Sequence, residues 1–307
     1  MILTICPNPS IDLTVEVDSL GVGMLNRIRS KVETYSGKAL NVAKGIARLG
    51  AESIATGFMF DAHAKLFEQS LEKDGVKHDF VYNAGSARLN YKIIDKRSML
   101  TEINDKGETV SRIKQLELID KVSALSQDCS VAVMSGSLPD GVDASFYGEV
   151  LSVIPSRVKK IVDAEKKNME SAIKAGVYMA KPNLRELESF AGETVRTKQD
   201  MVRCAKKYID LGVQWVLISL GADGAILTDG SESYYCKSAS VAVNSTVGAG
   251  DCMVAAACVC LEESVPKAQL LRCSVAAGTA AITTSGTNLF YKDKYEEIYS
   301  KIYAEKL

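Results

Sequence analysis

Asn244-Ser245-Thr246-Val247-Gly248-Ala249-Gly250-Asp251-Cys252-Met253 is the stretch around which the chain is organised. Gly248 and Gly250 carry no Cβ, so the backbone can turn tightly and an anion can come close. Asp251 follows, then a run of small apolar residues, Ala255-Ala256-Ala257-Cys258-Val259. That order predicts a turn, a helix N-terminus and a buried helix. The unpaired N–H groups of a first helical turn make a positive spot that suits phosphate. A carboxylate placed there suits a general base beside a phosphoryl acceptor. It equally suits a residue that only caps the helix and complements its dipole. The stretch by itself leaves both readings open.

The wider composition narrows the class. A chain of 307 residues accommodates one large α/β domain or two unequal ones, with an ample core. Hydrophobic residues make up 47% and charged residues 24%, the balance of an ordinary globular protein. The net charge is -1, from 37 basic and 38 acidic residues. That near-neutrality argues against nucleic acid or an anionic membrane as the main partner. No apolar run approaches the roughly 20 residues of a spanning helix. The start, Met1-Ile2-Leu3-Thr4-Ile5-Cys6-Pro7, lacks a basic segment and meets Asp12 early. A cytoplasmic protein without a secretory signal is expected. The eight cysteines contain no Cys-x-x-Cys, and Cys258 and Cys260 diverge on a helix. With His63 and His78 the only histidines, a zinc site is not expected. The cysteines read as small reduced core residues.

Taken in order, residues 2–6 predict a buried strand that opens into Pro7-Asn8-Pro9, with Asp12 directly after. Residues 13–18 alternate apolar and polar, and 25–34 form a second exposed strand. Val42, Ile46 and Leu49 share one helical face that Gly50 ends. Gly37-Lys38 therefore opens a helix, either as a second anion site or as a plain solvated lysine. It is not a P-loop, because Val32 stands where that motif needs its first glycine. A strand is expected at 53–58 and a helix at 62–74. Residues 88–94 and 98–103 read as a hairpin, with Arg88 and Asn90 on one face. An arginine there can grip phosphate or sit at the surface.

From 113 onward strands and helices alternate. Helices are expected at 115–126, 143–153, 167–175, 198–211, 250–262, 266–283 and 293–304. Strands are expected at 130–134, 159–163, 177–180, 214–219, 224–228 and 233–237. The fold class is thus a three-layer α/β/α sandwich with a mainly parallel sheet. Ligands bind at the carboxyl ends of such strands, where Gly37-Lys38, Gly136, Asn183, Gly221 and Gly248-Gly250 can converge. The two alternating stretches interrupt this pattern and read as a small β-sheet lid. The expected division is a core of 1–11, 36–86 and 113–307, and a lid of 12–35 and 87–112.

These residues resemble the ribokinase-like (PfkB) family of sugar kinases over essentially the whole chain. Ser245-Thr246-Val247-Gly248-Ala249-Gly250-Asp251 is similar to its C-terminal motif, and Gly37-Lys38-x-x-Asn41 to its N-terminal one. Asn183-x-x-Glu186 resembles its magnesium-associated pair, and Ser219-Leu220-Gly221-Ala222-Asp223-Gly224 its nucleotide turn. Pro7-Asn8-Pro9-Ser10-Ile11-Asp12, Arg88-x-Asn90, Thr101-Glu102-Ile103-Asn104 and Ser135-Gly136-Ser137-Leu138-Pro139 resemble the branch containing 1-phosphofructokinase and tagatose-6-phosphate kinase. Ser245, where many relatives carry Asp, resembles the 1-phosphofructokinase variant. Ser36, Ala39 and Cys252 depart from the usual residues. A thiol at a helix N-terminus acquires a lowered pKa, so Cys252 reads either as oxidation-sensitive or as an inert filler.

The resemblance implies ATP-dependent phosphorylation of a ketohexose phosphate. Asp251 would be the base, and the backbone at Gly248, Ala249 and Gly250 the anion hole. Lys38 and Arg88 would hold the existing phosphate. Asp12 and Asn41 would bond the ring hydroxyls, with Gly37, Asn90 and Gly136 in the same sugar site. Ser219, Gly221, Gly224 and Asn183 would contact ATP, and Glu186 would position Mg2+. Fructose 1-phosphate is the first expected substrate and tagatose 6-phosphate the second, with fructose 6-phosphate or a free sugar behind them. A homodimer through the lid is implied, with no nucleic-acid or membrane partner. Two rival classes are a dinucleotide oxidoreductase, weakened because no G-x-G-x-x-G follows the first strand, and a non-catalytic sugar-phosphate sensor.

Overall fold

The computed structural model describes residues 1–97, 99–284 and 289–307. The apolar runs become strands and the amphipathic segments helices. The first half contains β1 (Ile2–Cys6), β2 (Ser10–Val17), β3 (Ile28–Ser36), α1 (Lys38–Arg48), β4 (Ser53–Phe60), α2 (Ala64–Lys73), β5 (Lys77–His78), β6 (Val81–Asn83), β7 (Arg88–Ile94) and β8 (Leu100–Asn104). Ser98, the first residue of the strand expected at 98–103, lies outside the described residues. There follow α3 (Arg112–Leu125), β9 (Val131–Ser135), α4 (Ser145–Ser152), β10 (Lys159–Asp163), α5 (Lys166–Ile173), β11 (Met179–Ala180), α6 (Leu184–Ala191), α7 (Lys198–Asp210) and β12 (Trp215–Ser219). The chain closes with β13 (Ala225–Thr228), β14 (Ser233–Cys236), α8 (Ala249–Glu262), α9 (Lys267–Ala281), α10 (Lys292–Lys301) and β15 (Ala304–Lys306).

Among the described residues, eleven strands form one sheet in the order β15-β14-β13-β12-β11-β10-β9-β1-β4-β5, with β6 beside β4. The strands from β12 to β5 run parallel, and so does β6. The β12–β15 edge is antiparallel. Strand alternation splits the core in two. Leu3, Ile5, Met134 and Val162 face the side covered by α2 through α7. Ile2, Val131, Val133 and Ile161 face α1, α8, α9 and α10. These side chains are fully buried, each contributing about 1.5–3 kcal/mol.

The second face depends on close helix contacts. A Cβ on Gly45 of α1 would lie 2.7 Å from the Cβ of Ala255 on α8. One on Gly278 of α9 would lie 2.6 Å from Cγ of Met253. The small-residue runs of α8 and α9 are thus packing surfaces that bring the start of α8 against the sheet.

A separate sheet has the order β3-β2-β7-β8. Its register sets Asp12 beside both Asn90 and Thr34. Two expectations are corrected. The helix expected at 293–304 stops at Lys301, because Ile302 turns extended, buries its side chain and lets 304–306 pair with β14. Residues 184–191, which the pattern left unassigned, form α6. Among the described residues no helix is long and apolar enough to cross a membrane.

Candidate active site

Strands β1, β9, β10, β11 and β12 end along one edge of the large sheet, each running into a polar segment. The four-stranded sheet stands over that edge. Between them lies a cavity of about 800 Å3 lined by Asp12, Gly37, Lys38, Asn41, Arg88, Asn90, Gly136, Asn183, Glu186, Ser219, Gly248, Gly250 and Asp251. A second cavity, of about 310 Å3, adjoins it and shares Asn183, Ser219 and Gly250. Gly221, Gly224 and Ala249 line this second space, with Val243, Met253, Val275 and Ile282 as apolar walls. Each residue given a catalytic, sugar, nucleotide or Mg2+ role from the sequence therefore lies on one of two joined cavities.

Asp251 sits in the first turn of α8, whose start is set by Gly248 at φ 81. That positive φ suits glycine. The carboxyl is 7% exposed. Burial pushes its pKa up to about 6, against the downward pull of Lys38 and of the Asn41 amide. Asn41 donates from Nδ2 to Oδ2 of Asp251 at 2.8 Å, and Ser36 donates to Oδ1 of Asn41 at 3.2 Å. Asn41 is thereby fixed with its amide toward the carboxylate.

On the sheet above, Asp12 is paired within the protein. Lys92 donates to its Oδ2 at 2.7 Å, while Asn90 and Ser10 donate to Oδ1 at 3.0 and 3.1 Å. Arg88 makes long contacts, donating to the Asn8 and Asp105 carbonyls at 3.4 Å each and to Oδ1 of Asn90 at 3.5 Å. Its Nε is buried with no partner. A buried donor left empty is costly, so the guanidinium is poised for an acceptor from outside the chain.

Three charged residues here went unremarked in the sequence. Asp163, at the carboxyl end of β10, has a side chain only 2% exposed. Lys38 reaches it at 3.4 Å and Lys181 at 3.3 Å, and Ser135 donates to it at 3.3 Å. Burial works to raise the Asp163 pKa, but Lys181 and Lys38 outweigh it and hold it below the usual range. The Asp163 charge, in turn, raises the Lys38 ammonium above its ordinary value. Lys92 is the third. The available signal was a lone polar residue closing an apolar strand, as in Ile161-Val162-Asp163 and Met179-Ala180-Lys181.

Asn183 and Glu186 form a capping box at the start of α6. Asn183 Oδ1 accepts from the Glu186 N–H at 3.0 Å, and Glu186 Oε2 accepts from the Asn183 N–H at 2.8 Å. This pair thus has a structural duty. Of the two readings of Cys252 the structure supports the filler: it is fully buried, and burial pushes its thiol well up rather than down. The thiol is an inert filler.

Comparison with known proteins covers nearly the whole chain. The model of the pfkB family of carbohydrate kinases matches residues 7–294. The chain is 29% identical over 307 residues to the 1-phosphofructokinase of Vibrio cholerae, covering 100% of this chain and 97% of that one. It is 28% identical over 306 residues to the tagatose-6-phosphate kinase of Staphylococcus epidermidis, covering 98% of each. Among solved structures it is similar to phosphofructokinase-2 of Escherichia coli in complex with substrates and products. The TM-score is 0.91, with 27% identity and 98% of both chains covered.

Proposed function

We propose, on the premise that this chain belongs to the pfkB family of carbohydrate kinases, that it transfers the γ-phosphoryl group of ATP to a ketohexose phosphate. Fructose 1-phosphate, giving fructose 1,6-bisphosphate, is the substrate we favour. The observation that carries this reading is the shared cavity, in which a buried carboxylate, Asp251, lies on the same surface as Arg88 and its empty buried donor. A sugar phosphate brings the Arg88 guanidinium an anionic acceptor that a free sugar does not carry. Tagatose 6-phosphate is the second reading, favoured by the Staphylococcus relative.

In this scheme the acceptor hydroxyl lies against Asp251, which takes its proton as the oxygen attacks the γ-phosphorus. Asn41 holds the receiving carboxylate in place. The N–H groups at the start of α8, opened by Gly248, Ala249 and Gly250, cradle the phosphoryl oxygens. The apolar second cavity takes the nucleotide base, with Ser219, Gly221 and Gly224 at its mouth. Phosphoryl transfer needs positioning and charge neutralisation more than covalent help. Mg2+ fits as an ion carried mainly by the phosphates: among the described residues no group of three or more His, Cys, Asp or Glu could enclose a metal. Glu186, with one oxygen engaged in its capping box, and Asn183 would approach it. The ion would supply charge neutralisation on the phosphates. The four-stranded sheet acts as a lid that excludes water, the competing acceptor.

ADP release assayed across fructose 1-phosphate, tagatose 6-phosphate, fructose 6-phosphate and free hexoses tests the reading. Turnover with fructose 1-phosphate at the highest kcat/KM is expected. Activity on free hexoses alone would overturn the sugar-phosphate assignment. The pH profile adds a check. Asp251 must be ionised to accept a proton, and its pKa is raised to about 6. So kcat/KM should fall tenfold per pH unit below about 6 and level off above it. A profile flat down to pH 5 contradicts the base assignment.

The lid also offers an association surface, and we propose a homodimer through it. On β7 and β8 the side chains opposite the cavity include Leu89, Tyr91 and Ile103, which are 37%, 39% and 57% exposed. An apolar sheet face of this kind is an unusual surface for a monomer. Light scattering should give roughly twice the 33.1 kDa chain mass. Ile103→Asp together with Tyr91→Asp should return it to the single-chain mass. A parent protein that already scatters as one chain at micromolar concentration removes the proposal.

A further inference from the structure

Two thiols meet in the helix layer, away from both cavities. Cys260 stands near the end of α8 and Cys273 in the first half of α9, and these helices pack side by side. The Cys260 thiol donates to the Cys273 sulfur. The Tyr295 hydroxyl, on α10, donates to the same sulfur. Arg272 is fixed beside the cluster. Its guanidinium lies 3.9 Å from the centroid of the Tyr299 ring and donates to the Tyr299 carbonyl at 3.1 and 2.7 Å. Tyr299 in turn stacks on Tyr295, with centroids 6.0 Å apart.

This setting separates Cys273 from the other cysteines. Burial pushes the thiols of Cys6, Cys129, Cys204, Cys236, Cys252 and Cys258 up. At Cys273 the bond from Cys260 outweighs burial, and Tyr295 and Arg272 add to it against Glu263, so the thiol comes down to about 7. Cys260, as the donor, is held protonated. The pair is also less sealed than its neighbours: Cys260 is 5% and Cys273 8% exposed, whereas Cys252 and Cys258 are 0%. A thiolate reached by a small oxidant, with a second thiol already in contact, has what it needs to form a disulfide.

We infer that Cys273 and Cys260 are a peroxide-reactive pair, with Cys273 attacking and Cys260 resolving, that closes into a disulfide between α8 and α9. The Cys273 sulfur attacks one oxygen of hydrogen peroxide and the O–O bond breaks. The leaving hydroxide takes up the proton that Cys273 had released and becomes water, and Cys273 is left as a sulfenic acid. The Cys260 sulfur then attacks the Cys273 sulfur and the S–O bond breaks. The second hydroxide takes the Cys260 proton. The two sulfurs together lose two electrons, and one peroxide becomes two waters. The bridge fastens together the helices that present Asp251 to one cavity and Gly278 to the other.

Peroxide treatment of the native protein, then alkylation in denaturant and tryptic mapping, provides the test. Cleavage after Lys267 and Arg272 separates the two cysteines, so the bridge joins two peptides. The treated parent should lose two of its eight free thiols, show the Cys260–Cys273 cross-link, and regain both thiols with dithiothreitol. Cys260→Ser should stop at a sulfenic acid on Cys273, captured by dimedone. Cys273→Ser should keep every remaining thiol. Tyr295→Phe should close several-fold more slowly, because less of the Cys273 thiol is ionised. A folded parent that keeps all eight thiols at a peroxide level that oxidises free glutathione overturns the inference. So does a cross-link through any other cysteine, or a dimedone adduct elsewhere than Cys273 in Cys260→Ser. Mapping of the parent needs no substitution, so it decides the matter even where a variant does not fold.

Discussion

Asparagine in place of Asp251 should lower kcat by roughly 10²–10⁴-fold while leaving the fold at least as stable at neutral pH. The first effect follows, on the proposed mechanism, from the loss of the carboxylate that Asn41 holds and that would take the hydroxyl proton. The second follows from the sign of the pKa shift. The folded pKa of about 6 lies above the ordinary aspartate value of 3.8. The group's stabilising contribution is therefore present below the unfolded value and is lost as pH rises through the folded one. At pH 7 the buried carboxylate weighs against folding, and a neutral isostere relieves that strain. Catalytic activity and stability should thus move in opposite directions. Coupled ADP release and calorimetric Tm at pH 7 measure the two. A loss of only a few-fold in a well-folded variant would remove Asp251 as the base.

A second large effect is expected far from any charge. Gly57, on β4, pairs with Cys6 at the end of β1 and has φ 141. A Cβ there would fall 1.8 Å from the Cys6 carbonyl oxygen and 2.6 Å from its carbon. Both atoms are backbone, so no side chain can swing aside. Gly57→Ala should cost about 3 kcal/mol or more, or roughly 6–12 °C in Tm. Activity should suffer too, since Cys6 leads into the loop whose Asn8 carbonyl supports Arg88. An alanine variant melting within about 2 °C of the parent would show that the strand pair can shift freely.

The alternation of apolar strands and amphipathic helices made the layered architecture legible, because each period reports which face is buried. The glycine-flanked Asp251 and Gly37-Lys38 were legible for a related reason: glycine before a helix marks a backbone that something must approach. Asp163 and Lys181 were not. Each is one polar residue at the end of an apolar strand, and sequence spacing of 18 residues says nothing about two side chains that meet only across adjacent strands β10 and β11. Helix α6 was obscured because Asn183 and Glu186 read as ligands, while in three dimensions they also cap a helix. The β15 strand escaped because three residues carry too little period to detect, and their pairing depends on where α10 ends.

Along β7 the residues take turns: Arg88, Asn90 and Lys92 look into the cavity, while Leu89 and Tyr91 look away from it. One ribbon therefore answers to two environments, and no position answers to both. Point changes at odd positions can adjust what the outside of the molecule meets without disturbing ligand affinity, and changes at even positions can retune the ligand alone. An insertion of a single residue has no such freedom. Placed at the start of the strand, it would turn every later side chain to the opposite side, taking Arg88 and Lys92 out of the cavity and setting them on the outer surface in one step.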